Sequence, residues 1–171
     1  QFMRTLCLFF NSIYKIHKFH RVIVANSLEL LHVRVICGLL CAYYLKKAGI
    51  DCIVTESNKI ASGTSGNTTA KITSLHGAIY GDLIEKSGIE TAQKYFDINQ
   101  QAIKEYEKIA KSADCDFKES TAYTYSLNDT EKIEKEYNAL SKLGAPIKAD
   151  TKISLPFKVS AIVGLQGQAE F

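Results

Sequence analysis

Two residues sit at an interval that suits chemistry on a nucleotide: Gly38 precedes Glu56 by eighteen positions. Between them, Gly38 to Gly49 reads as a short buried helix. Its small and apolar residues point inward, Lys46 and Lys47 lie in the last turn, and Gly49 is placed to take a left-handed cap. Asp51-Cys52-Ile53-Val54-Thr55-Glu56 then reads as a strand, β-branched in its middle and closed by an acid. A carboxylate at that point can accept hydrogen bonds from both ribose hydroxyls and would repel a 2′-phosphate. The interval matches that between the last glycine of G-x-G-x-x-G and the acid that holds the ribose. The plain alternative is an ordinary αβ unit that ends in a solvated glutamate.

The preceding glycines of that fingerprint are missing. With Gly38 as the third, the first two fall on Val33 and Val35. A Cβ at those positions blocks the close approach of backbone to a pyrophosphate, and valine disfavours the positive φ of a tight turn. Weakened nucleotide binding is therefore expected.

Behind Glu56 runs a loop of small polar residues, Ser57-Asn58-Lys59-Ile60-Ala61-Ser62-Gly63-Thr64-Ser65-Gly66-Asn67-Thr68-Thr69-Ala70-Lys71-Ile72-Thr73-Ser74-Leu75-His76-Gly77. Its composition also suits a generic surface loop. With the helix and strand before it, the stretch resembles the FAD-dependent oxidoreductases of the D-amino-acid oxidase and glycine oxidase superfamily. The likeness includes a bacterial branch whose members carry a GNTTAK-T-HG stretch, some with a Rieske domain further on. The resemblance covers about Ile36 to Phe171 and is most specific over 60–77. It implies that Glu56 holds the adenosine ribose and that Ser62 lies near the phosphates. It further implies that Asn67, Thr68, Thr69 and Ala70 approach the flavin through main-chain amides and hydroxyls. Small donors can cradle an anion, and amides near the ring stabilise the negative charge that reduction places there. His76 and Lys71 are tempting as catalytic groups, but a lone loop histidine is more often structural. No catalytic residue is named.

Bulk properties limit the alternatives. The formal charge of +3 comes with no basic cluster interleaved with aromatics, so nucleic acid is not expected as a partner. The five cysteines form no pair with a two-residue gap, so no metal site is expected; reduced thiols in the cytoplasm fit best. No apolar run approaches the ~18 residues that a transmembrane span needs. The charge is unevenly spread, however. Arg4, Arg21 and Arg34 are the chain's three arginines, so none follows residue 34, and His17, His20 and His32 precede the same point. Residues 1–34 also lack a steady helical period and a convincing signal-peptide cleavage site. They are read as a segment foreign to the family, for example a shifted reading frame joined upstream of Ile36.

Further on, Ser87-Gly88-Ile89-Glu90 has the form of a capping box. It is followed by an apolar face of Ile89, Ala92, Phe96, Ala102, Ile103, Tyr106, Ile109 and Ala110. A second helix is expected from Asn128, with Glu131 completing its cap and Ile133, Tyr137 and Leu140 inward, ending at Gly144 before Pro146. The tyrosines read as core packing, with a substrate-cavity role as the alternative. Glu107–Lys111 and Glu131–Lys135 read as solvated helix-face pairs. Ala122 to Ser126 and Val159 to Leu165 read as strands.

The expected fold class is α/β: a partial Rossmann-like FAD-binding domain with a helical insertion and the start of a substrate-binding β-sheet domain. The expected divisions are 1–34, a partial FAD-binding βαβ region at 35–85, a helical region at 86–146, and the start of a truncated substrate domain at 147–171. The expected function is that of the N-terminal fragment of an oxidoreductase using FAD to oxidise a small-molecule amine or amino acid by hydride transfer, inactive as this chain. A non-catalytic helix-rich interaction module and an NAD-binding domain are the alternatives.

Overall fold

The computed structural model describes residues 29–31, 35–54, 66–68, 71–113, 115–148 and 155–171. The chain forms two compact units, one covering 1–70 with 113–115 and the other 71–112 with 116–171.

The first unit holds a parallel β–α–β arrangement. Strand β1 (Glu29–Leu31) pairs with β2 (Cys52–Val54), with Glu29 opposite Cys52 and Leu31 opposite Val54. A parallel pair needs a crossover, supplied by helix α1 (Val35–Lys47). Gly38, Leu39 and Ala42 are buried along this helix. Gly49 takes φ +78° beyond its end. The Ile50 N–H then donates to Leu45 O and the Gly49 N–H to Lys46 O, both at 2.9 Å, the paired bonds of a Schellman cap. The expected glycine cap is present, and the helix begins slightly earlier than the sequence suggested. Strand β1 lies within the stretch that charge and composition set apart.

The second unit is an antiparallel sheet covered by helices. Strand β6 (Ala161–Glu170) is central, with β4 (Lys118–Ser126) on one side and both β3 (Lys71–Ile72) and β5 (Ile147–Lys148) on the other. Both long strands extend beyond their expected spans, and β6 starts two residues after Val159. Polar Lys118, Glu119 and Ser120 hide the strand period at the start of β4, yet they pair with Glu170, Ala169 and Gln168. Helices α2 (Tyr80–Ser87), α3 (Ile89–Ala113) and α4 (Thr130–Lys142) complete the unit. Tyr80, Phe96, Ile133, Leu140, Val163 and Leu165 form its core.

Several local expectations need correction. Ser87 is the last residue of α2, and the break before α3 falls at Gly88, with φ +80°. The α4 cap is Asp129, whose Oδ1 accepts the Lys132 N–H at 3.0 Å, one residue after the expected Asn128. Tyr137 is 48% exposed, at the edge of a buried face that runs through Ile133, Glu136, Ala139 and Leu140. Ile89 and Ala102 likewise face outward. Glu107 and Lys111 do pair, at 2.8 Å, but Lys135 reaches Asp82 and Glu85 of α2. Among the described residues, no helix is long and apolar enough to cross a membrane.

Candidate functional site

Gly38 lies in the first turns of α1 and is buried, as the third glycine of a dinucleotide fingerprint would be, so that helix and strand can approach closely. Val35, at the second fingerprint position, is the first residue of α1. Val33, Glu56, Ser62, Thr69 and Ala70 lie outside the described residues. Asn67 and Thr68 are exposed in the turn that leads to β3. Gly38 thus stands where the third fingerprint glycine would, and a valine occupies the second position, where a glycine would leave bare backbone.

Past β3, the chain is held by a polar junction that sequence inspection missed. Gln168 is 2% exposed, and its Oε1 accepts from Ser74 N at 2.7 Å, Thr73 Oγ1 at 3.0 Å and Ser74 Oγ at 3.2 Å. Its Nε2 donates to Gln166 O at 2.9 Å. Gln100 Nε2 donates to Ser74 Oγ at 2.7 Å, and Tyr80 OH donates to Ser74 O at 2.7 Å. Each donor has an acceptor, as a buried network requires. Burial pushes the Tyr80 phenol well above its ordinary range.

His76 is exposed, with Nδ1 2.9 Å from Tyr95 OH. The Tyr95 ring meets Tyr80 edge to face at 6.0 Å. Lys71 is exposed on β3, opposite Glu170. Tyr123 lies across Gly164, and Tyr125 is 45% exposed against Phe157, with 5.6 Å between ring centroids. Neither tyrosine belongs to the core. No cluster of three or more metal-ligating side chains exists among the described residues.

A second buried polar group, Glu136 of α4, faces the start of α2. It is 1% exposed; Oε2 accepts the Gly81 N–H at 3.0 Å and Oε1 has no hydrogen-bond partner. Burial raises its carboxyl above the ordinary range, partly offset by the amides of Gly81, Tyr80 and Ile79.

No solved structure matches the chain. Over 140 residues it is 33% identical to a Bacillus subtilis (strain 168) protein, YhfW, whose name describes a Rieske 2Fe-2S iron-sulfur protein. The match covers 80% of this chain and 28% of that relative, so the chain spans little more than a quarter of the relative's length. The family model for FAD dependent oxidoreductases matches residues 36–159, well over half of the sequence. The chain belongs to the FAD-dependent oxidoreductase family.

Proposed function

We propose that this chain contributes the dinucleotide-binding βαβ unit and the flavin-covering loop of an enzyme that oxidises an amine or amino acid. The observation that carries this reading is the parallel β1–α1–β2 unit with Gly38 buried near the start of its crossover helix. Within it, Glu56 holds the adenosine ribose and Ser62 lies near the phosphates. Asn67, Thr68, Thr69 and Ala70 offer amides and hydroxyls to the ring. When bound, FAD would supply a two-electron acceptor for the hydride of an amine-bearing carbon. The chain's own residues bind and orient; none is assigned a proton-transfer role, because a neutral amine needs no protein base for this step. The thiols of Cys37, Cys41 and Cys52 suit a reducing, cytoplasmic setting.

The valines at 33 and 35 weaken nucleotide binding in this chain, which also favours a second reading, a helix-rich module without a cofactor. One experiment separates them. Val33→Gly/Val35→Gly should bind FAD at least about tenfold more tightly than the original chain, read by quenching of flavin fluorescence. A glycine variant with no measurable FAD binding would favour the module.

A further inference from the structure

We propose that a proton-operated latch docks α2 on α4: it stays closed while the buried Glu136 carboxyl keeps its proton, and α2 opens locally between Gly77 and Gly88 once that carboxyl ionises. The latch works whether or not the chain holds a flavin. Two adjacent residues of α4 grip the short helix. The stem of Lys135 lies over Gly81, where a Cβ would come within 2.6 Å of Lys135 Cγ. Lys135 Nζ reaches Asp82 at 2.6 Å and Glu85 at 2.8 Å. Glu136 is buried instead, with Oε2 on the Gly81 N–H and Oε1 without a partner. The surface ion pairs add little, because water and salt compete for them. The buried carboxyl decides the balance. Neutral, it leaves one hydrogen bond unmade; charged, it keeps an anionic oxygen away from water with nothing to satisfy it.

Both ends of α2 are free to turn. Gly77 takes φ +84° and Gly88 φ +80°, and neither has an atom within 4 Å of where a Cβ would stand. Between them Tyr80 is the main attachment, fully buried with its OH donating to Ser74 O. Opening therefore uncovers Tyr80. The charges around the latch fix its sign. Burial outweighs the α2 amides and holds the Glu136 carboxyl above its ordinary range, with Asp82 adding to the rise. The closed state is thus favoured at acid pH and loses that support as pH rises through the folded-state pKa. Asp82, kept below its ordinary range by the Lys135 hydrogen bond, acts only at more acid pH. On the strands packed against α4, Lys118 pairs with Glu170, Lys148 lies over the Tyr123 ring and Glu119 is exposed, so none of these partners Glu136.

Amide exchange of the whole chain, corrected for intrinsic rates and followed from acid to neutral pH, tests the latch. The Leu83 and Gly88 amides, which bond to Ile79 O and Ile84 O, should open about tenfold more often at neutral than at acid pH, while α4 amides keep their protection. The midpoint of that change should coincide with the titration of the Glu136 carboxyl carbon resonance. Glu136→Gln should hold α2 closed at every pH. Lys135→Met should raise opening by a pH-independent factor of about threefold or less and leave the midpoint in place. An equal rise over α4, no pH dependence in α2, midpoints that differ, or loss of the dependence in Lys135→Met would each overturn the proposal.

Discussion

Glu136 reaches from α4 to the first turn of α2, where its Oε2 accepts the main-chain N–H of Gly81 at 3.0 Å. The N-cap residue of α2, Ile79, makes no side-chain cap, so a carboxylate from another helix faces the positive end instead. That placement is costly because Oε1 is buried without a partner.

The cost depends on pH in a definite direction. Burial raises the folded-state pKa above the ordinary carboxyl value, so the native state holds the proton more tightly than the unfolded chain. The group's contribution is fully present below the unfolded pKa and is lost as pH rises through the folded one. Glu136→Gln removes this titration. Its Tm relative to the original chain should rise as pH climbs above the ordinary carboxyl range and then level off, gaining on the order of 1 kcal/mol, or about 2–4 °C. Melting curves from acid to neutral pH check it; a constant offset would mean that Glu136 does not titrate there.

A second expected outcome concerns Gly164. A Cβ there would lie 2.7 Å from Tyr123 Cε1 and 3.2 Å from Lys148 Cβ. Gly164→Ala therefore has to displace the ring, at a cost of about 1–3 kcal/mol. Tyr123→Ala relieves the clash, so the double variant should lose less stability than the two single losses added together. Strict additivity in denaturant melts would show that the ring is not what constrains Gly164.

The sequence revealed most where one residue decides a local conformation. Gly49 and Gly144 both take positive φ at helix ends, as their positions after apolar-periodic runs indicate. Helix α1 and strand β2 were legible because an apolar run, a glycine cap and a β-branched stretch each mark one element. The junction around Gln168 was not legible. Its partners are 94 and 95 residues away, and a bulge with no distinct sequence mark sets its direction. The outward turn of Tyr137 was hidden because the buried face of α4 includes a carboxylate, Glu136, which a purely hydrophobic pattern leaves out.

That cap gives the last expectation. Asp129 and Asn128 are both good N-cap residues by type, so composition cannot choose between them. The structure does: Asp129 Oδ1 accepts the Lys132 N–H at 3.0 Å, and the Asp129 N–H donates to Ser126 Oγ at 2.9 Å. The carboxylate also lies at the positive end of the α4 dipole. Asp129→Ala should cost about 0.5–2 kcal/mol, whereas Asn128→Ala, exposed and outside the cap, should stay within about 0.5 kcal/mol of the original chain. Asp129→Asn keeps the accepting oxygen and should recover most of the loss. Urea melts of the three variants decide the matter, and a larger loss at Asn128 than at Asp129 would put the start of α4 one residue earlier.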